Sequence, residues 1–413
     1  MGLVTGAGLA ALGHDVRVGE RDPERLAALE TGKVPFYEPD LERLVAEGLG
    51  SGALSFHSSN LTAVDGVEVV FVAVPTPQGD DGVADVSIVA SVIEEIAQHL
   101  DPSTLLVLKS TIPMGSADRL RDHLRSAGGR IELLSNPEFL REGNAVADFF
   151  KPDRIVIGGA SQAAVERMIE LYRKLDAPIV VTDSVSAELI KYASNAFLAT
   201  RVTFANAVAN LCESVGADVR DVLLGMGYDN RIGFHFFNPG PGYGGSCFPK
   251  DTRALVAVAE ENGYDFALLK GVIEVNEIQF DRIVSKVARA VGGEFVGKRI
   301  GLWGLAFKAG TDDVRESPAV RLALHFVAEG AEVTAYDPRV RADLAGVGRA
   351  PDPIAAVRDA DALVIATEWG EFRNVDFGEV RAAMSGVSIV DARNLLDPAA
   401  IRRLGLTYEG VGR

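Results

Sequence analysis

Apolar positions along the first 180 residues recur in two alternating periods. LVTGAGLAALG has the spacing of a helix and closes at Gly13, DVRVGE alternates as a strand, and DPERLAALE returns to helical spacing behind an Asp-Pro start. VEVVFVAV is a continuous apolar strand, VSIVASVIEEIAQHL a helix, and TLLVLKST a strand. The stretches RIELLSN, DRIVIGG and PIVVTD read as further strands. Continuous apolar strands separated by amphipathic helices predict a parallel sheet covered on both faces.

From Ser186 the pattern changes. AELIKYASNAFLATRVTFANAVANLCESVG and ALLKGVIEVNEIQFDRIVSKVARAVGG are long helices with a glycine-rich loop between them, which suits a connecting and dimerising layer. The alternation resumes at Gly297: KRIGLWGL, AEVTAYDP, DALVIATE and VSIVDARN are strands and SPAVRLALHFVAEG is a helix. The predicted fold is therefore α/β, with two doubly wound domains, 1–185 and 297–413, joined by a helical layer at 186–296. GLAALGHDVRVGERDP and LHFVAEGAEVTAYDP repeat the order helix, glycine, strand, acidic turn. Such sheets bind ligands at the carboxyl ends of their strands.

Composition narrows the functional classes. A length of 413 residues exceeds one hydrophobic core, and 47% hydrophobic with 24% charged residues is globular. A net charge of −17 argues against nonspecific nucleic-acid binding, which needs clustered cations, but leaves anionic small ligands open. No segment approaches the ~18 apolar residues of a membrane span, and the N-terminus lacks the basic start of a signal peptide. The two cysteines, Cys212 and Cys247, give neither a disulfide framework nor metal-ligand spacing, so a reducing cytosol and no metal are expected.

Two stretches carry candidate chemistry. In GPGYGGSCFPKD, Cys247 follows four glycines and precedes Pro249, Lys250 and Asp251. That setting suits a reactive thiol in a binding loop as well as a buried cysteine in an ordinary glycine turn. At the N-terminus, a helix beginning at Gly2 and the acid Glu20, eighteen positions on, form half of a dinucleotide fingerprint whose strand and first glycines are not in the written chain. A plain βαβ unit with a capping acid reads the same way.

The blocks GPGYGGSCFPKD, SNPEFLREGNAVADFFKPDRIVIG, ELIKYASNAFLATRVTFANAVANLCE, GLAFKAGTDDVRESPA and ATEWGEFR resemble, in order and over nearly the whole chain, the UDP-glucose/GDP-mannose dehydrogenase family. The resemblance implies two Rossmann-like domains, a homodimer, and a metal-free four-electron oxidation of a sugar-nucleotide C6 alcohol to a carboxylate with two NAD. It favours UDP-glucose as substrate, with GDP-mannose or another nucleotide sugar as the alternative. A two-electron hydroxyacid dehydrogenase would not need Cys247, and a silent sugar-nucleotide binder would not need the catalytic set.

By the same resemblance Cys247 is the nucleophile; a thiolate adding to the aldehyde gives a thiohemiacetal that can be oxidised to a thioester. Lys191 and Asn195, four apart on a helix, face the C6 oxygen. Glu138 is the acid/base, and Thr111 and Asp251 hold the hydrolytic water; Asp251 also reads as an N-cap for TRALVAVAE. The resemblance gives NAD to Gly2, Glu20, Arg25, Pro75, Thr76, Ser110, Thr111, Glu142 and Arg315. A carboxylate at Glu20 favours NAD over NADP. The sugar nucleotide falls to Glu138, Phe139, Leu140, Lys191, Asn195, Arg231, Tyr243, Gly244, Phe307, Lys308 and Arg393. Family members open this helix as GYVG, so Met1 stands where a valine is expected; an internal GTG taken as the start would produce it. Upstream codons for a short strand and Gly-x-Gly-Tyr are the expectation.

Overall fold

The computed structural model describes residues 1–79, 82–126 and 131–413. The chain forms two compact units, Met1–Ser194 with Arg253–Tyr264, and Asn195–Thr252 with Asp265–Arg413.

In the first unit, β1 (Val16–Gly19) pairs in parallel with β2 (Leu54–His57) as a sheet of two. A second sheet runs β3 (Val69–Val72), β4 (Leu105–Leu108), β5 (Glu132–Ser135), β6 (Ile155–Gly158) and β7 (Ile179–Thr182) in that order. Its pairs are parallel except β5 with β6, which meet antiparallel at Ser135 and Gly158. The expected start of β5 at Arg130 lies outside the described residues. Alternation along β4 explains the continuous apolar run. Leu105 and Val107 join a core with Val4 and Ala7 of the helix Gly2–Ala11, while Leu106 and Leu108 join another with Val89 and Ile93 of the helix Ser87–Ala97. Both faces are covered, so no polar position is tolerated.

The helix Pro23–Glu30 begins as the sequence signals. Asp22 caps it by accepting N–H groups of Glu24 and Arg25 at 2.9 and 3.0 Å, and Pro23 occupies the first turn.

The second unit holds β8 (Arg299–Trp303), β9 (Glu332–Tyr336), β10 (Val347–Arg349), β11 (Ala362–Ile365), β12 (Ser388–Asp391) and β13 (Thr407–Glu409). All pairs are parallel in the order β10-β9-β8-β11-β12-β13, the doubly wound dinucleotide-fold order. The order reverses beside β8, between β8 and β11, and sheets of this kind bind ligands outside the carboxyl ends of the strands at such a reversal. A continuous core around Trp303, Phe326 and Phe372 joins this sheet to Cys212, Phe280 and Ile283 of the long helices. Those helices are Ser184–Val215 and Ala267–Ala290, with Phe248–Glu261 between them in sequence. Among the described residues no helix is long and apolar enough to cross a membrane.

Candidate active site

In the first unit the proposed acid/base and oxyanion cation form one buried pair. Glu138 follows β5 and Lys191 lies in the second turn of Ser184–Val215; Lys191 Nζ stands 3.2 Å from Glu138 Oε1, and both side chains are almost fully enclosed. The other carboxylate oxygen accepts the Leu140 N–H at 2.7 Å. Burial alone would raise Glu138, but the charge of Lys191, the Leu140 N–H, the Lys191 hydrogen bond and the charge of Lys109 outweigh it and hold the carboxyl below its ordinary range. Phe139 is flanked by two cations, with the Arg154 guanidinium 3.6 Å and Lys191 Nζ 5.4 Å from the ring centroid.

The carboxyl ends of β3 and β4 are tied together. Thr76 Oγ1 donates to the Thr111 carbonyl at 2.8 Å and Ser110 Oγ to the Val74 carbonyl at 2.6 Å, which places Pro75, Thr76, Ser110 and Thr111 in one loop cluster. A small pocket beside it is lined by Ser110, Thr111, Ser135, Pro137, Glu188 and Lys191.

The same unit fits a dinucleotide. Glu20 stands one residue past β1, and the helix Gly2–Ala11 starts where a Cβ on Gly2 would meet Ala73 Cβ at 3.2 Å and Ala73 O at 3.3 Å. Backbone N–H groups at a helix start that only glycine leaves uncovered suit a pyrophosphate, and a carboxylate at a strand end suits ribose hydroxyls. Arg25 is exposed on the next helix, and Glu142 follows the Glu138 loop.

In the second unit Cys247 immediately precedes the helix Phe248–Glu261, and its carbonyl accepts the Asp251 N–H at 2.8 Å. The thiol is half-buried, with Ser246 Oγ 3.6 Å from Sγ, and the positive end of the helix favours an anionic sulfur. Cys212 differs: it is a core residue whose thiol is pushed up by burial, with Asp218 and Glu213 adding to the effect. Asp251 does not cap TRALVAVAE, because the helix starts three residues earlier. Its buried carboxylate instead accepts Asn195 Nδ2 at 2.6 Å and Lys250 Nζ at 2.7 Å.

The glycine loop is packed against the sugar-nucleotide candidates of its own unit. A Cβ on Gly244 would lie 2.1 Å from Glu316 O, and Gly245, at φ +83°, backs onto the Phe307 ring. Asn276 receives the Tyr243 N–H at 2.8 Å, and Gln279 donates to Gly240 O at 2.8 Å. Arg393 donates to the carbonyls of Phe307 and Ala366 at 2.6 and 2.9 Å and pairs with Glu368, so its fork holds the Phe307 turn; Lys308 Nζ lies 5.5 Å from the Phe307 ring centroid. Two arginines lie in exposed local pairs instead: Arg231 with Asp229 and Arg315 with Asp313, both also in the second unit. Among the described residues no group of three or more His, Cys, Asp or Glu is arranged to hold a metal.

Comparison with known proteins agrees block by block. Residues 1–176 match the NAD binding domain model of the UDP-glucose/GDP-mannose dehydrogenase family, 185–278 its central domain and 301–398 its UDP binding domain. The chain belongs to the UDP-glucose/GDP-mannose dehydrogenase family. It is 43% identical to a UDP-glucose 6-dehydrogenase of Pseudomonas aeruginosa and 44% to one of Rhizobium meliloti, across 100% of this chain and 95% and 97% of theirs. A solved UDP-glucose dehydrogenase from Pyrobaculum islandicum superposes with a TM-score of 0.91 at 37% identity, covering 100% of this chain and 95% of that one. Family membership makes the chain an NAD-dependent oxidoreductase.

Sequence reading missed the residues that hold the named ones. Glu188 accepts the N–H groups of Gly115 and Ala117, Glu38 those of Gly143 and Ala145, and Lys109 donates to Asn136 beneath the Glu138 loop. Nothing but partner geometry separates such carboxylates from surface ones.

Proposed function

We propose that the chain oxidises UDP-glucose to UDP-glucuronate, as the names of its full-length relatives suggest, through a covalent adduct on Cys247. NAD, when bound by the first domain, supplies the hydride acceptor for each of two oxidations. The reading divides the work among 1–185 for NAD, 186–296 for the nucleophile and dimer contact, and 297–413 for the UDP-sugar. It places the enzyme in the cytosol as a homodimer.

Lys191 and Asn195 stabilise the C6 oxygen as it becomes alkoxide-like, and Glu138, kept ionised beside Lys191, accepts the proton. The Cys247 thiolate adds to the aldehyde carbon, oxidation of that adduct leaves a thioester, and water held by Asp251 and Thr111 releases the carboxylate and returns the thiol. One water is consumed and two NAD are reduced per sugar. Phe139, Leu140, Arg231, Tyr243, Gly244, Phe307, Lys308 and Arg393 contact the sugar nucleotide, while Gly2, Glu20, Arg25, Pro75, Thr76, Ser110, Thr111, Glu142 and Arg315 serve NAD.

The observation that carries this reading is the half-buried thiol of Cys247 at a helix start, one turn before an Asp251 held by Asn195 and Lys250. Cys247→Ala is expected to abolish UDP-glucuronate formation while UDP-glucose still binds, and Cys212→Ala to retain activity. NADH and sugar-acid production are followed with UDP-glucose, GDP-mannose and UDP-N-acetylmannosamine. Acid formation by Cys247→Ala would defeat the mechanism, and a higher kcat/KM for either other sugar would defeat the substrate assignment.

A further inference from the structure

Glu188 stands three residues before Lys191 and is 3% exposed. Its two oxygens are both engaged, accepting the Gly115 N–H at 2.6 Å and the Ala117 N–H at 3.0 Å at the start of the helix Ser116–Ser126. These are the residues into which the Ser110–Thr111 segment runs. The segment is thus held at two points, by Thr76 and Val74 on the β3 side and by Glu188 on the side of the Lys191 helix. Glu188 also lines the small pocket that Ser110, Thr111 and Lys191 share.

A helix start can be capped at the surface by Ser or Asp without burying a charge. Here burial is the leading influence and lifts the carboxyl to about 7 against the two N–H donors, with Asp118 adding to the rise and Arg119 opposing it. A carboxylate kept in so unfavourable a place, with each oxygen aimed at a separate N–H, has the geometry of a brace between two elements. We propose that Glu188 is a positioning residue that fixes the Ser110–Thr111 loop for NAD and keeps it in register with Lys191. This rests on the assignment of Ser110 and Thr111 to the cofactor.

The test uses the full chain and NAD alone, titrated by isothermal calorimetry, with Glu188→Ala and Glu188→Gln. An amide of the same length can accept only one of the two N–H groups, so the effects should be graded. NAD affinity is expected to fall about tenfold in Ala, which removes both acceptors, and less in Gln, which keeps one. UDP-glucose affinity should stay within about twofold, and turnover should show a raised KM for NAD with an unchanged KM for the sugar. Should the Ala protein fail to fold, the Gln protein decides. NAD affinity within twofold of wild type in every folded variant, or an equal loss for both ligands, would overturn the brace. A wild-type chain that binds no NAD would overturn the cofactor reading itself.

Discussion

A lysine buried away from water is costly, and the first unit holds two that act on one carboxylate. Lys191 is paired with Glu138. Lys109 has the neutral oxygen of Asn136 at 2.9 Å and the face of Tyr172, whose hydroxyl donates to the same oxygen at 2.8 Å. Burial is the main reason that the Lys109 ammonium falls from 10.5 to about 8; Glu138 opposes the fall and Lys191 adds to it. Between these two values the unfolded chain binds the proton more fully than the folded one, so stability rises with pH from 8 to 10.5 and the full penalty stands below 8. A difference from 10.5 to about 8 corresponds to about 3 kcal/mol. Lys109→Met is expected to remove this component. The urea-unfolding free energy of the wild type should rise relative to that of the variant as pH climbs from 8 to 10. Parallel curves would show that Lys109 titrates as it does in the unfolded chain.

At the scale of elements, the glycine loop and the turn before Pro318–Ala328 meet backbone to backbone. The Cβ of a Gly244→Ala variant would sit 2.1 Å from Glu316 O and 2.7 Å from Pro318 Cδ, and Glu316 is itself held at φ +49°. Neither contact is a flexible side-chain tip, so the loop must shift, at a cost of about 1–3 kcal/mol. Gly271→Ala, inside the helix Ala267–Ala290 with nothing within 4 Å of the new methyl, should instead stabilise by up to about 1 kcal/mol. Both tryptophans, Trp303 and Trp369, belong to the second unit, so their fluorescence on heating reads this region directly. Equal melting temperatures for the two variants would contradict the contact.

The elements that were legible in the sequence share a physical reason. The apolar runs at Leu105–Leu108 and Ala362–Ile365 are buried on both faces, and Val69–Val72 buries one face and half-buries the other, so their composition alone marks them. Strand β2 is only four residues with two half-buried positions, and the helix Ser116–Ser126 is mostly polar; neither rises above loop composition. Cys247, Lys191 and Glu138 were visible as candidates because they sit in long, unusual motifs. Glu188 and Lys109 were not, because their roles depend on N–H and amide partners 71 and 27 residues away.

For the whole molecule, a net charge of −17 would keep copies apart unless an apolar surface brings them together. The helix Ser184–Val215 offers one. Phe197, Phe204 and Leu211 recur every seven residues, and with Val215 they are 62, 50, 60 and 67% exposed. A seven-residue apolar repeat on one helix face fits the same face of a second helix, and an identical surface on both partners closes a two-fold dimer. Arg201, the cation within this stretch, is turned onto the carbonyls of Ile232 and Gly233 at 2.8 and 3.1 Å, which leaves the stripe uncharged. A second copy of the chain is therefore the proposed occupant. Wild-type protein is expected to sediment at twice the chain mass at micromolar concentration and to keep that mass in high salt, since apolar contact is not screened. Phe204→Glu combined with Leu211→Glu should place four carboxylates in the interface and yield monomer with unchanged far-ultraviolet circular dichroism. A monomeric wild type, or a double variant that still sediments as a dimer, would remove this helix face from the assembly.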